Sequence, residues 1–451
     1  MLSWIIGRPL LTPGLVHRTA VLIWTGALLV CPTPGSAYFS AQKQILKNGL
    51  TVILEHNDAS ATTFLQFLIR GGQRAEPQGK QGLSFLTTRL AVEIPDSTKI
   101  QELMSLSSRF SITSRGDYSL INIGCLTSNF ESTLKILSKI IADPIISGLR
   151  VDAIKKYMSH QSEVERDDSL IIGHLASLAA FFGRPGYEGS IYGREETLGA
   201  IKTKDASDFY ERWFTAPNIV LSVASDLEKE PILSLLDKYL AKFPSAPSST
   251  PLPPVVRRVP QERKIFMERE TKQILVSLAF PLPEVSPRSY LLNELIQNFL
   301  GEGAGSKLWP LRSEEKLAYN VGCRVTQMLE GGLLEAYLET DKTKREEALK
   351  ALDDTVVSVW EQGLTEEEFE AARALVKANF LRDNELKPTK AATLAYFEAL
   401  GLGFDYFTKF LTELEDLTLD ETMAYIKDLL NPEKAVVVVV GPGVQGQRSG
   451  S

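Results

Sequence analysis

Residues 244–260 read PSAPSSTPLPPVVRRVP, and the chain divides at this stretch. Its six prolines lack a backbone N–H and fix φ, and the serines between them add no apolar face, so neither a packed helix nor a central strand can form there. That leaves an extended connector. On either side of it the same order of patterns recurs.

Before the connector, Asn48-Gly49 sits between the alternating runs 43–46 and 50–54, the signature of a tight hairpin. An extended run, 62–69, follows. Apolar spacing at Leu83, Leu86 and Leu90 predicts a helix over 81–91, and Arg115-Gly116-Asp117 divides a second hairpin, 109–113 with 118–126. Helices are predicted over 130–141 and, as one long element, 151–180, then a strand over 218–225 and a helix over 228–243. Beyond the connector come strands 263–267 and 273–280, a helix 288–300, paired strands 318–325 and 333–340, and helices 345–362 and 365–382. Further helical patterns fill 389–430, and a strand of consecutive valines closes the series at 434–440. Strand, strand, helices, strand, strand, helices therefore occurs twice. The expectation is an α+β fold of two homologous domains, each an antiparallel or mixed sheet with helices packed on one face. Domains are assigned to 38–243 and 263–441, with a linker over 244–262 and a flexible tail over 442–451.

Composition sets bounds on partners. With 451 residues, 44% hydrophobic and 23% charged, the chain is long enough for several core-forming units. A formal charge of -7 without a basic block argues against a nucleic-acid surface. Three cysteines and four histidines support neither a disulfide framework nor a cysteine-rich zinc module. Residues 1–37 carry only Arg8 and Arg18 as charged side chains, an apolar run over 20–30, and Gly35-Ser36-Ala37 before Tyr38. This pattern predicts a cleaved secretory signal, a periplasmic mature chain and no stable membrane span.

Chemistry concentrates in residues 301–321, GEGAGSKLWPLRSEEKLAYNV. The guanidinium of Arg312 and the phenol of Tyr319 are strong donors seven positions apart across a helix-to-strand turn. Such a pair can grip a peptide carbonyl without a metal.

Several blocks together resemble the pitrilysin and insulinase-like zinc peptidases, in the processing-peptidase branch built from pairs of two-domain subunits. They are LKNGLTVILEHND at 46–58, Gly82-Leu83, residues 193–198, Ala216-Pro217-Asn218, Gly305-Ser306-Lys307-Leu308 and Leu317-Ala318-Tyr319. Active relatives carry H-x-x-E-H on the helix opening at Gly82-Leu83: two imidazoles on one helix face hold Zn²⁺ and the glutamate serves as base. Here those positions are Phe85, Thr88 and Arg89. The resemblance puts the third-ligand position at Gln161, with Glu163 two residues away as the alternative. No zinc is expected in this chain, and a guanidinium at position 89 would oppose a dication.

By the same resemblance, Arg312 and Tyr319 hydrogen-bond the substrate carbonyl near the scissile bond. One departure is Lys316, where the family often has glycine. The implied function is that of a non-catalytic subunit in a heterodimeric zinc peptidase, lending Arg312 and Tyr319 to a partner that carries H-x-x-E-H and zinc. Two alternatives stand beside it: a stand-alone peptide-binding or chaperone-like protein, and an autonomous metallopeptidase with an atypical metal site. His160 and His174 cannot share a metal on one unbroken helix, because fourteen residues span about 21 Å. No G-x-S-x-G element supports a serine nucleophile.

Overall fold

The computed structural model describes residues 41–94, 97–106, 108–183, 186–247 and 249–443. The predicted signal and most of the predicted tail lie outside these residues. Eleven strands form two sheets among them. The first holds β1 (Gln42–Ile45), β2 (Thr51–His56), β3 (Thr62–Arg70), β4 (Arg109–Ser114), β5 (Tyr118–Leu126) and β6 (Ile219–Ser225), in the order β1-β2-β6-β3-β5-β4. The second holds β7 (Lys264–Glu268), β8 (Ile274–Pro281), β9 (Asn320–Met328), β10 (Gly331–Thr340) and β11 (Val436–Gly441), in the order β7-β11-β8-β10-β9. Without the edge strand β1 the two orders superimpose element by element. In each sheet one pair is parallel, β2 with β6 and β7 with β11, and the other pairs are antiparallel. The two halves thus share one topology, as the repeated order of patterns predicted.

Each sheet is covered on one face by helices of its own half, as the alternation predicted. Val52, Leu65, Phe67, Ile121 and Leu221 point into the first core, with Leu86, Leu90 and Leu137 above them. Ile274, Val276, Leu278 and Val439 do the same in the second, under Leu295, Leu352 and Phe369. The opposite face was not legible in the sequence. There each half lays one helix on the other's sheet: Ser169–Phe181 on β8 and β11, Lys387–Ala399 on β3 and β6.

Ile172, Leu178 and Phe181 meet Leu275, Ala279, Val436, Val438 and Val440, while Leu394, Ala395 and Ala399 meet Ile53, Leu68, Leu120 and Val220. The valine run of β11 is continuous because both of its faces are buried. Gly173 is what lets the first of these helices come so close. A Cβ at that position would lie 2.3 Å from Leu275 Cδ2.

The helix expected over 151–180 is two helices, Gly148–Glu165 and Ser169–Phe181. Asp168 breaks it by capping the second, its carboxylate accepting the N–H groups of Leu170 at 2.9 Å and Ile171 at 3.1 Å. The break redirects the chain from its own sheet to the other half. The proline-rich connector is extended and tied down along its length. Gly183 N–H donates to Val256 O at 2.7 Å, Arg258 N–H to Phe181 O at 2.8 Å, and Val255 N–H to the Glu330 carboxylate at 3.0 Å.

Charged groups buried between the halves fasten the exchange. Lys390 pairs with Glu55 on β2, and Lys387 donates to the carbonyls of Ser60 and Thr62. Asp117 accepts from Arg74 at 3.1 Å, from Tyr187 at 2.9 Å and from the Leu329 N–H at 2.8 Å, and Arg74 also pairs with Glu330. Burial raises the Asp117 pKa against these donors. Removing one partner leaves the other charge buried. Lys390→Ala is therefore expected to lower the unfolding free energy by about 3–5 kcal/mol in urea titration, and Lys390→Met with Glu55→Leu to recover most of it.

Candidate functional site

Helix Leu83–Val92 begins at Gly82, whose φ of 96° is left-handed. A Cβ there would sit 2.8 Å from Met158 Cε and 3.1 Å from the Tyr192 carbonyl. The helix end is satisfied from upstream: the buried Glu76 carboxylate accepts the N–H groups of Gly82 at 3.1 Å and Ser84 at 3.0 Å, and the Ser84 hydroxyl at 2.8 Å. Sequence reading missed Glu76, because capping normally comes from the residue adjoining the helix.

Packing within the chain occupies the positions at which the resemblance expects zinc ligands. Phe85 is 3% exposed, its ring 4.9 Å from Tyr192 edge-on and 6.4 Å from Tyr157 stacked. Thr88 is fully buried and donates to Ser84 O at 2.7 Å. Arg89 lies over the Tyr157 ring at 5.7 Å. Positions 85 and 89 thus still present one helix face to one place, and that place is a tyrosine ring.

On the neighbouring helix Gly148–Glu165, Gln161 follows Tyr157 by about one turn and is partly buried. Glu163 is exposed, its carboxylate 4.0 Å from His160 at the surface. The carboxylate that turns inward is Glu165, which accepts the Ser190 hydroxyl. Burial raises the Glu165 pKa, opposed by Ser190 and reinforced by Asp168. Tyr192 is pushed up to about 12 by burial, with Tyr157 and Glu165 adding to it. Nothing in the sequence distinguished Glu165 from Glu163; the pairing with Ser190 crosses 25 residues. Among the described residues no group of three His, Cys, Asp or Glu side chains is placed to hold a metal ion. The helix does break between His160 and His174, yet His174 leaves for the other half, its Nδ1 2.6 Å from Glu335.

The second part of the site follows helix Pro287–Gly301. A short helical turn, Pro310–Ser313, places Arg312 over the Trp309 ring at 5.3 Å. The chain then reverses. Leu311 O accepts the N–H groups of Leu317 at 2.9 Å and Ala318 at 3.3 Å, and Tyr319 N–H donates to Glu339 O at 2.8 Å. Lys316, at φ 55°, takes the left-handed conformation that favours glycine, the residue the resemblance leads one to expect there, and its carbonyl accepts from Lys344 at 2.9 Å. Arg312 is exposed and Tyr319 is 59% exposed. Among the described residues neither the guanidinium nor the phenol has a hydrogen-bond or ion-pair partner, and no such contact joins them to Phe85, Thr88 or Arg89.

The helix Leu83–Val92 thus carries no His, Cys, Asp or Glu, and comparison with known proteins places the fold. Residues 200–376 match the profile described as Peptidase M16 inactive domain. An uncharacterized zinc protease of Rickettsia felis is 23% identical over 88% of this chain and 96% of its own. The non-peptidase homolog YmxG of Helicobacter pylori is 21% identical over 85% and 90%. A mitochondrial-processing peptidase subunit beta from Neurospora crassa is 22% identical over 78% and 77%. The fold is shared with the crystal structure of a peptidase M16 inactive domain from Pseudomonas fluorescens, at TM-score 0.82 and 20% identity, over 90% of this chain and 99% of that one. The chain is thus similar to M16 peptidases and a non-peptidase homolog, shares the fold of an M16 inactive domain, and has no H-x-x-E-H motif in its sequence.

If packing has replaced the metal, truncating Phe85 removes structure. Phe85→Ala is expected to cost about 3–5 kcal/mol by denaturant unfolding. At the other site, Lys316→Gly should leave stability unchanged or raise it by about 1 kcal/mol, and Lys316→Val should lower it by about 1–2 kcal/mol in the same measurement.

Proposed function

We propose that this chain is the non-catalytic subunit of a heterodimeric zinc metallopeptidase. It binds peptide substrate and supplies Arg312 and Tyr319 to the zinc site of an H-x-x-E-H partner. One observation carries the reading. Two strong donors stand unpaired in solvent on a tightly hydrogen-bonded turn, while the motif helix of the same chain is filled by Phe85, Tyr157 and Tyr192. Buried or structural donors are ordinarily satisfied within their own chain. These two are available to an acceptor from outside it.

In the proposed mechanism an H-x-x-E-H partner would hold the zinc through its two histidines and would supply Lewis-acid chemistry and a glutamate base. Arg312 donates to the substrate carbonyl, and Tyr319 adds a second, neutral donor. Both strengthen as charge develops on oxygen, so they lower the barrier more than they tighten substrate binding. Stacking on Trp309 limits the arc through which the Arg312 guanidinium can swing. Peptide and protein degradation in the periplasm is the proposed setting, on the strength of the N-terminal signal pattern. The cofactor belongs to the partner. This chain alone is expected to bind no catalytic zinc.

The test is to copurify the tagged chain from its native source, measure zinc stoichiometry, and assay cleavage of a quenched fluorescent peptide. Arg312→Ala or Tyr319→Phe is expected to lower kcat/KM by roughly 10²–10³-fold, about 2.7–4 kcal/mol of barrier, with zinc content and assembly unchanged. Equal turnover in mutant and wild-type complexes would end the role assigned to the pair. A purified chain that cleaves the peptide by itself and stops on chelation would replace this reading with an autonomous metallopeptidase.

A further inference from the structure

We infer that Glu339 is a positioning residue for Tyr319, clamping the substrate-gripping turn of the second half to a helix of the first. The inference rests on the proposed role of Tyr319 and names what holds that side chain in place.

Three contacts tie the turn between Arg312 and Tyr319 to the end of β10 and the turn after it. Lys344 donates to Lys316 O at 2.9 Å, Thr340 Oγ1 to Leu317 O at 2.6 Å, and Tyr319 N–H to Glu339 O at 2.8 Å. All three partners belong to the second half. The Glu339 side chain alone in this group reaches further. One carboxylate oxygen accepts from Asn320 Nδ2 at 3.1 Å, its cross-strand neighbour and the residue after Tyr319. The other accepts from Ser169 Oγ at 2.8 Å, the first residue of the exchanged helix Ser169–Phe181. A single carboxylate thus joins the backbone beside Tyr319 to the first half.

The clamp has a companion two pleats along β10. Glu335 lies on the same face, meeting His174 at 2.6 Å and Arg324 at 2.9 Å. Burial works to raise its pKa, but His174 and Arg324 outweigh it and hold the carboxylate at about 2. Glu335 is 1% exposed and anchors the middle of the helix. Glu339 is only partly buried and sits where the strand runs into the gripping turn. Anchoring and positioning are thereby divided between two carboxylates on one strand face. A positioned donor is worth more than a mobile one, because misplacement by about 1 Å can cost on the order of 10²-fold in rate.

The test is a double-mutant cycle in the copurified complex, read with the quenched fluorescent peptide, alongside hydrogen exchange of the full-length chain. Ser169→Ala and Glu339→Ala are expected to lower kcat, by roughly 10-fold and up to about 10²-fold, with KM nearly unchanged. In a Tyr319→Phe background both effects should shrink toward none. Glu339→Gln, which can still bond both Ser169 and Asn320, should restore most of the rate. Exchange at residues 316–320 should rise in Ser169→Ala while β10 stays protected. If Tyr319→Phe has no effect, the role of Tyr319 itself falls. Should Tyr319→Phe act while Glu339→Ala and Ser169→Ala multiply with it independently, or leave exchange at the turn unchanged, the clamp is refuted. Ser169→Ala decides the matter if Glu339→Ala does not fold.

Discussion

The reciprocal exchange of two helices is the constraint on which the rest of this structure depends. A sheet with helices on one face leaves the other face exposed, and a chain with two such sheets can cover both by trading an element. Lys387–Ala399 buries Ile53, Leu68 and Val220 of the first half, and Ser169–Phe181 buries Leu275, Val438 and Val440 of the second. Apolar burial alone would permit sliding, since it is non-directional. Direction comes from the polar contacts made by the helices: Lys390 on Glu55, His174 on Glu335, Ser169 on Glu339. Each of these contacts has one favourable register, so the two halves form one body and the turn bearing Tyr319 inherits its position from both.

That economy explains what the sequence disclosed and what it withheld. Period-two alternation in β3, β5 and β8 and the helix spacing of Leu83, Leu86 and Leu90 are local, and they placed the sheets and most helices to within a few residues. Asn48-Gly49 marked a hairpin for an equally local reason, Gly49 having φ 91°. The break at Asp168 was hidden because apolar and polar residues continue at helical spacing on both sides of it. The second covered face left only an indirect mark, the unbroken valines of β11. Exchange is fastened by polar contacts between residues 161 to 335 positions apart, and nothing in a local pattern encodes it.

The site divides along the same line. Phe85, Thr88 and Arg89 were legible as absent chemistry, because a metal motif fixes both residue type and spacing. What fills the space was not. Tyr157 and Tyr192 reach Phe85 from separate elements, and Glu76 caps the helix from six residues before Gly82. Glu165 turns in through a hydroxyl 25 residues away. The helix at the expected motif position is held by ring packing. Phe85 and Thr88 are buried among the core residues around them, so this helix is held without metal ligands.

Retained donors and a filled motif helix have different physical standing. Filling the helix lowers the free energy of the folded chain, so stability alone accounts for it. Exposed donors have no such account: Arg312 and Tyr319 bury little and bond nothing within the chain. Lys316 adds to the contrast, since a lysine at φ 55° carries backbone strain of about 1–2 kcal/mol where glycine would carry none. The turn keeps its shape despite that strain because Lys344, Thr340 and Glu339 determine it from outside. A segment held this firmly in a conformation that its own residues disfavour is organised by something other than its own stability. The proposed presentation of two donors to an external carbonyl would give that organisation a use.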